Sequence, residues 1–193
     1  MKRKIIKRPS VAQLEVELLR EKYRSRYNTV LKSTLYTLIT VAAAAVLVAT
    51  LWLPVLRIYG SSMTPTLKNE DIVFSVKSSN LKTKDIVAFY YNNKILVKRV
   101  IAGPGDWVNL DENGTVYVNG QELVEPYLVE KAYGETNIEL PYQVPDGRYF
   151  VMGDHRATSV DSRNTAVGCI SAEQIVGKIL FCVWPVEKIG FIE

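Results

Sequence analysis

The sequence is poor in the side chains that bind soft metals or form cross-links. Its 193 residues include one histidine, His155, and two cysteines, Cys169 and Cys182. A zinc site takes about four nitrogen, sulfur or oxygen ligands, so we expect no metal and no cofactor. Both cysteines lie in apolar sequence, which favours buried free thiols; a disulfide is the alternative outside the cytoplasm. Any catalysis by a histidine base must use His155.

Charge is missing from one long stretch, residues 33–56, which is 24 residues without a charged side chain. At 1.5 Å per residue, a helix of that length reaches ~36 Å and exceeds the ~30 Å hydrocarbon core of a bilayer. Tyr36 and Trp52 stand near its ends, where aromatic residues gather at membrane interfaces. A cleavable signal peptide is the alternative, but the long preceding region and the lack of an A-x-A-like site argue against it. We predict a transmembrane helix over residues 33–56.

The charges that are present separate into a basic arm and a slightly acidic body. Residues 1–32 hold ten Lys/Arg and three acidic residues, whereas residues 57–193 hold fourteen and seventeen. A basic arm can bind nucleic acid, but its position before an apolar segment favours a lipid bilayer, and we expect no nucleic-acid partner. The positive-inside rule then predicts a cytoplasmic tail, largely helical, at 1–32 and an extracytoplasmic domain at 57–193. Ser10 and Gln13 fit a helix capping box.

The outer region predicts many short strands separated by turns. Asn113-Gly114 and Asn119-Gly120 are strong turn signals, while residues 124–145, with three prolines, predict an irregular excursion from the sheet. The predicted fold class is mainly β, an antiparallel sheet or barrel-like domain with one N-terminal transmembrane helix. Apolar and alternating runs predict strands at 71–76, 85–91, 95–101, 107–110, 115–118, 148–152 and 178–183.

The loop after the apolar segment holds two adjacent hydroxyls, Ser61 and Ser62. Thr64-Pro65 fits the start of a short helix or turn, whose backbone N–H groups can stabilise a developing oxyanion. Gly60 lets the backbone approach a substrate closely. Such a loop is by itself more typical of a linker, because a serine hydroxyl is a poor nucleophile without a base.

Two bases are available, His155 and Lys98. In the strand at 95–101, alternation places Leu96, Lys98 and Val100 on one face and Arg99 on the other. A lysine on an apolar face loses solvation and its pKa falls, so a neutral amine could accept the serine proton. The alternative is an edge-strand lysine that serves solubility.

A third stretch, residues 152–164, is dense in polar and charged side chains between two apolar strands. Asp161 and Arg163 are two apart, so an extended backbone places them on one face as a pair. Ser159 shares that face, and its hydroxyl could hold a neutral lysine amine. A solvated polar loop is the alternative.

These stretches together resemble the bacterial type I signal peptidases, membrane-bound Ser/Lys proteases that remove signal peptides from exported preproteins. Residues 61–67 match the S-M-x-P-T-L box and residues 85–89 match the D-[IV]-V-x-F strand. Residues 98–106 match the box with the general-base lysine, and residues 153–163 match the G-D-N-x…S-x-D-S-R box. The single span and the compact region at 111–145 resemble the Gram-positive form.

The resemblance implies a role for each matching residue. Ser62 would be the nucleophile, Lys98 the general base, and Ser159 would orient the Lys98 amine. The backbone N–H of Ser62 would bind the oxyanion. The supporting residues would be Arg99, Asp154, Asp161 and Arg163, the last two as an ion pair.

The sequence departs from the family pattern at two positions. Some members place a serine hydroxyl two residues before the nucleophile, where this chain has Gly60, so a second oxyanion donor must come from elsewhere or be absent. His155 replaces the usual Asn, and because Lys98 is present we interpret the histidine as a loop residue. Small substrate residues would need shallow apolar pockets, whose expected wall residues are Ile58, Met63, Leu67 and Val97.

The predicted function is therefore an endopeptidase that cleaves N-terminal signal peptides from exported preproteins after small, A-x-A-like residues. One alternative is a dedicated peptidase of the same fold that processes one partner, such as a pilus subunit. Another is a non-catalytic membrane-anchored domain that binds exported chains, which gives no reason for Ser62, Lys98 and Ser159 to occur together. A self-cleaving Ser/Lys repressor would need a DNA-binding domain and no membrane span.

Overall fold

The computed structural model describes residues 10–52, 54–78 and 80–192, so the predicted tail residues 1–9 lie outside the described part. The chain divides into two compact units, with the boundary between Ala49 and Thr50. The first consists of most of a long helix. The second holds the sheets and the polar stretches singled out above.

The helix α1 runs from Val11 to Trp52. Gln13 N–H donates to Ser10 Oγ at 3.4 Å and Ser10 N–H donates to Gln13 Oε1 at 3.0 Å, so the predicted capping box is confirmed. Among the described residues, one helical stretch, Val11–Val48, is long and apolar enough to cross a membrane, with a mean hydropathy of 1.7. The helix ends before residue 56, because Pro54 has no N–H to continue the hydrogen-bond ladder.

Twelve strands are present in the described part of the chain, and each of the seven predicted strands is found within a few residues of its predicted bounds. The five others contain two or three residues each. In chain order they are β1 Val55–Arg57, β2 Ile72–Val76, β3 Ile86–Tyr91, β4 Lys94–Ala102, β5 Trp107–Leu110, β6 Val116–Val118, β7 Gln121–Glu122, β8 Tyr142–Gln143, β9 Arg148–Met152, β10 Ile170–Ser171, β11 Ile175–Trp184 and β12 Gly190–Phe191.

All strand pairs are antiparallel, which confirms the predicted fold class. The larger sheet has the order β1-β2-β11-β3-β4-β9-β10, with β12 also paired to β11, and the smaller has the order β7-β6-β5-β8. Both sheets are open over the described residues. The barrel-like alternative is therefore corrected, since no closed barrel forms.

Strand β4 lies inside the larger sheet, between β3 and β9. Lys98 pairs with Val87 of β3 and is 4% exposed, so the alternative of a solvated lysine that serves solubility is wrong. The predicted alternation is confirmed by packing: Leu96 and Val100 join one apolar cluster, whereas Val97 joins another. The strand ends where predicted, at a turn in which Gly103 N–H donates to Asp106 Oδ2 at 2.9 Å.

Residues 124–145 are mostly irregular, as predicted, except that β8 pairs with β5. The Asn119-Gly120 turn joins β6 to β7 with positive φ at both residues, 52° and 78°. Cys169 and Cys182 are buried free thiols, so the disulfide alternative does not apply.

Candidate active site

Ser62 and Lys98 are brought together by the tertiary fold. Lys98 Nζ lies 2.7 Å from Ser62 Oγ. Ser62 sits in a run of turns rather than a helix: Thr64 N–H donates to Ser61 O at 3.1 Å, and Leu67 N–H to Met63 O at 2.9 Å. Of the two options offered by Thr64-Pro65, the turn is the one that forms.

The amine of Lys98 is held in surroundings that disfavour its charge. The residue is 4% exposed. Burial lowers the pKa of Lys98 to about 8, opposed by the carboxylates of Asp161 and Asp154 and reinforced by Arg163. No ion pair within 4 Å joins Lys98 to a carboxylate of the described residues. A substantial fraction of this amine is therefore neutral near pH 8 and can accept a proton.

The backbone of Ser62 is held from one side and open on the other. His155 N–H donates to Ser62 O at 3.0 Å. A Cβ at Gly153 would clash with both this carbonyl and Ser159 Oγ, so only glycine permits the approach. The Ser62 N–H has no acceptor within the described part of the chain. It is free to donate to a developing oxyanion.

Gly60 does not supply a second donor to that oxyanion. It has φ +92°, and its N–H already donates to Asn69 Oδ1 at 2.9 Å. The loop is thereby fixed two residues before the nucleophile. The backbone N–H of Gly60 therefore does not provide the second oxyanion donor.

Ser159 lies in the expected region but lacks the expected contact. It is 1% exposed, and its Oγ has no hydrogen-bond partner among the described residues. The predicted hydrogen bond from Ser159 to Lys98 is therefore not formed in this structure. Leaving a buried hydroxyl unpaired costs about 1–3 kcal/mol, which marks this atom as a feature that packing alone does not explain.

Two buried ion pairs support the site. Arg163 Nε and Nη2 donate to Asp161 Oδ1 and Oδ2, each at 2.9 Å, so the predicted pair is present. Arg99 forms a second bidentate pair with Asp154, at 2.9 and 2.8 Å, that spacing did not indicate. Thr66 Oγ1 donates to Asp154 Oδ2 at 2.6 Å and ties the Ser62 loop to this pair.

A third buried pair was missed by sequence reasoning. Arg156 donates from Nη1 to Glu125 Oε2 at 3.0 Å and from Nη2 to Glu125 Oε1. Tyr127 O–H donates to the same carboxylate at 2.7 Å. Both partners come from the irregular segment, which has no periodicity to predict them; the charge of Glu125 beside Pro126 was the one available signal.

His155 does not reach the Lys98 amine with its ring. Its Nδ1 lies 2.7 Å from Thr158 Oγ1, and the side chain is exposed. Its contact with the site is the backbone N–H that binds Ser62 O. The geometry agrees with a loop residue and favours Lys98 as the base.

An apolar groove of about 560 Å³ opens beside Ser62 and Lys98. Three of the four expected wall residues line it, namely Ile58, Met63 and Val97. Leu67 is a correction: it is 1% exposed and packs in the apolar cluster with Met63, because its N–H closes the turn that points it inward. Further lining comes from Leu56, Arg57, Tyr59, Gly60, Ile95 and Leu96.

Comparison with known proteins matches residues 31–184 to the family described as signal peptidase, peptidase S26. A signal peptidase I of Bacillus licheniformis is 35% identical over 182 residues, covering 88% of this chain and 96% of the relative. A signal peptidase IB of Staphylococcus aureus (strain MRSA252) is 36% identical over 159 residues, covering 69% and 79%. A crystal structure of a signal peptidase I from Enterococcus faecalis V583 matches with a TM-score of 0.45 at 30% identity, over 52% of this chain and 97% of that one.

Proposed function

This chain belongs to the signal peptidase family, peptidase S26, and on that premise we propose that Ser62 and Lys98 are its catalytic dyad. It is a type I signal peptidase, a serine endopeptidase whose substrates are exported preproteins. The observation that carries the dyad is the 2.7 Å contact between Lys98 Nζ and Ser62 Oγ in a water-poor setting beside a groove.

The reaction is an acyl transfer. Neutral Lys98 takes the proton of Ser62 Oγ while that oxygen attacks the carbonyl carbon of the scissile peptide. The Ser62 N–H donates to the oxyanion of the tetrahedral intermediate. As the C–N bond breaks, the Lys98 ammonium returns the proton to the leaving amine. Lys98 then activates a water that hydrolyses the ester on Ser62 and frees the signal peptide and the nucleophile.

The supporting residues keep the two reacting groups in register. The pairs Arg99–Asp154 and Arg163–Asp161 are 1% exposed or less at their side chains and fix the strand and loop around Lys98. Ser159 is the residue that would orient the Lys98 amine. Its buried hydroxyl, which has no partner among the described residues, supports this role, because the hydroxyl remains available to bind a neutral amine.

The groove accommodates the substrate before the cleaved bond. Its lining is mostly apolar, which suits the small residues that precede the cut. Leu56 and Arg57 of β1 also line it, and β1 is an edge strand of the larger sheet. An extended signal peptide could therefore pair with this edge by β-augmentation while its small side chains enter the pockets.

The protein works at a lipid bilayer, which is its second partner; nucleic acid is not one. Family members are membrane-anchored, and the apolar helix fits that role. The basic residues before the span support an orientation with the N-terminus in the cytoplasm and the peptidase domain outside. In this arrangement the domains are the tail at 1–32, a span that begins at residue 33 and ends with α1 at Trp52, and the peptidase domain, which includes β1 from Val55 onward. Ser62 follows the span by few residues, so cleavage occurs close to the membrane.

The dyad is tested by incubating the full-length enzyme in detergent with several labelled preproteins. Ser62→Ala and Lys98→Ala should each abolish cleavage while the protein still folds and inserts, and mass spectrometry of the products locates the cut. Full activity in either variant would contradict the dyad. Cleavage of several unrelated preproteins indicates a general enzyme, whereas cleavage of one alone indicates a dedicated peptidase.

A further inference from the structure

Residues 124–137, here called the strap, contact all three arginines that are buried around the dyad. These arginines are Arg99, Arg156 and Arg163, each 1% exposed or less. The family pattern accounts for the carboxylates of Asp154 and Asp161. It does not account for the side chains that the strap contributes.

The first of these side chains is Glu125. It is 8% exposed and holds Arg156 by two hydrogen bonds. Arg156 also donates from Nε to Gly153 O at 3.1 Å. His155 lies between Gly153 and Arg156 along the chain, and its N–H donates to the carbonyl of Ser62. Glu125 thus fixes the segment that holds the nucleophile's backbone.

The second is Tyr127. Its ring lies 3.8 Å from the Arg99 guanidinium carbon, within the range of a cation–π interaction. Its O–H donates to Glu125 Oε1 at 2.7 Å. Arg99 directly follows Lys98 on β4 and binds Asp154. One side chain therefore links the strand of the base to the loop that holds the nucleophile.

The far end of the strap is anchored independently. Arg163 Nη1 donates to Tyr133 O at 2.8 Å, and Asn137 N–H donates to Arg163 O at 3.0 Å. A Cβ at Gly134 would clash with Arg156 O and with the Arg163 guanidinium. The strap is accordingly anchored near both of its ends, at Glu125 and Tyr127 and again at residues 133–137.

We propose that Tyr127 and Glu125 are positioning residues that hold Lys98 and Ser62 in reacting register through Arg99 and Arg156. The proposal rests on the Ser62–Lys98 dyad proposed above. It assigns no contact with substrate to either residue. Tyr127 acts through Arg99, which pairs with Asp154, and Glu125 acts through its own pair with Arg156. If either contact is lost, the arginine can shift and carry the reacting groups with it. A displacement of a reacting group by about 1 Å can cost up to about 10²-fold in rate.

The test compares Tyr127→Phe and Tyr127→Leu with Tyr133→Phe in the full-length enzyme. The phenylalanine at 127 keeps the ring over Arg99 and loses the hydrogen bond to Glu125, while leucine loses both. Tyr133 is the matched control, because it lies in the same strap, is 38% exposed and contacts Arg163 through its backbone carbonyl. Active sites are titrated with a serine-acylating reagent, so that kcat refers to folded enzyme.

We expect kcat to fall about tenfold in Tyr127→Phe, the loss of a hydrogen bond to a charged group, and further in Tyr127→Leu. KM should change less than about twofold, and Tyr133→Phe should match the wild type. The charged groups facing Lys98 are Asp161, Arg163 and Asp154. If Asp154 shifts with Arg99 in Tyr127→Leu, water reaches Lys98, and the acid limb of the kcat profile should move upward by about half a pH unit.

Glu125 provides an independent arm of the test. Glu125→Gln should lower kcat at least as far as Tyr127→Phe, and Glu125→Asp should recover part of the loss. The double variant Glu125→Gln/Tyr127→Phe should lose less than the product of the two single losses, because both remove one network. If Tyr127→Leu does not fold, the positioning role is tested by Tyr127→Phe and by the double-mutant cycle of Glu125→Gln with Tyr127→Phe.

The outcomes separate the two proposals. Unchanged kcat per active site in Tyr127→Phe and Glu125→Gln, in an enzyme that needs Lys98, would overturn the positioning role and leave the dyad intact. A Lys98→Ala enzyme that still cleaves would overturn the dyad itself. A fall in kcat for Tyr133→Phe as large as that for Tyr127→Phe would count against any specific role for residue 127.

Discussion

Two neighbouring cations on β4 lie in opposite electrostatic surroundings. Arg99 is fully buried and bound at two nitrogens by Asp154. Lys98 is almost as buried, but its closest polar contact is the neutral hydroxyl of Ser62. Burial therefore lowers the pKa of Lys98 to about 8, whereas Arg99 has the Asp154 carboxylate as a partner.

The difference separates the groups that react from the groups that hold them. Buried ion pairs add little net stability, because desolvation offsets the attraction, but breaking one is costly. Three such pairs fix the surroundings of the dyad: Arg99–Asp154, Arg156–Glu125 and Arg163–Asp161. The unpaired Lys98 can then change protonation while its neighbours stay in place.

Replacing Lys98 by arginine should cause the largest loss of activity, because both neighbouring residues on β4 would then be permanently charged. An arginine at this position remains protonated at any accessible pH and cannot accept the serine proton. We expect Lys98→Arg to lose at least about 10³-fold in kcat/KM, measured by cleavage of a labelled preprotein. The control is Lys178→Arg, at a partly exposed lysine paired with Asp85, which should retain near wild-type activity.

Removing a carboxylate from one of the pairs should mainly affect stability. Asp161→Asn leaves Arg163 buried without a counter-charge and weakens the acceptor of Gly153 N–H. We expect a loss of about 3–5 kcal/mol in the free energy of unfolding, measured with denaturant in detergent. Glu122→Gln, at an exposed pair with Lys131, should lose far less, because solvent screens the pair. Equal effects would show that burial does not distinguish the pairs.

The pH dependence tests the unpaired amine directly. Below about pH 8, kcat should rise about tenfold per pH unit as Lys98 deprotonates. The pKa of Lys98 is lower in the folded than in the unfolded chain, so the unfolded chain binds more protons between about 8 and 10.5. Lys98 therefore lowers the free energy of unfolding below about pH 8, by on the order of 3 kcal/mol, and this deficit disappears as pH rises through that window. Subtracting the pH-dependent unfolding free energy of Lys98→Met isolates the contribution.

Ser159→Ala removes one hydroxyl and should lower activity without lowering stability. If Ser159 orients the Lys98 amine, its removal lowers kcat by about tenfold. Because Ser159 Oγ is buried without a partner in the described structure, its removal should leave the free energy of unfolding unchanged or raise it by up to about 1 kcal/mol. A clear loss of stability with full activity would make the residue structural.

His155→Asn should have the smallest effect. The ring is exposed and contacts Thr158, while the backbone N–H that binds Ser62 O is kept by asparagine. We expect kcat/KM within about threefold of the wild type. A loss as large as that of Lys98→Arg would make the histidine the base.

Much of the fold could be predicted because strand formation is local. The apolar and alternating runs at 71–76, 85–91 and 95–101 correspond to β2, β3 and β4, and the Asn119-Gly120 turn forms between β6 and β7. The five strands β1, β7, β8, β10 and β12, of two or three residues each, were not predicted, since they depend on a partner strand rather than on their own pattern. Tyr142–Gln143, for example, is a strand because β5 lies beside it.

The site was predictable only in part. The motif resemblance indicated Ser62 and Lys98, but their spacing along the chain does not predict that Lys98 Nζ lies 2.7 Å from Ser62 Oγ. Leu67 was expected in the groove because it is apolar, and its burial in the core follows from the turn it closes. Glu125 and Tyr127 carry no local signal, because their contacts are with Arg156 and Arg99 in distant segments.

The sequence by itself determined the apolar helix and the mainly β fold class, because these depend on composition and short-range periodicity. It also determined which types of side chain stand in each of the motif stretches that resemble the family. The tertiary structure alone decided that, of the neighbours Lys98 and Arg99, only the arginine forms an ion pair with a carboxylate of the described residues. Ion pairs and desolvation act over a few ångströms in space, and the groups that set them here come from β4, the Ser62 turn, the 153–164 loop and the strap. Lys98 is a candidate base because the fold buries it beside Ser62 and gives its neighbour Arg99 the carboxylate of Asp154.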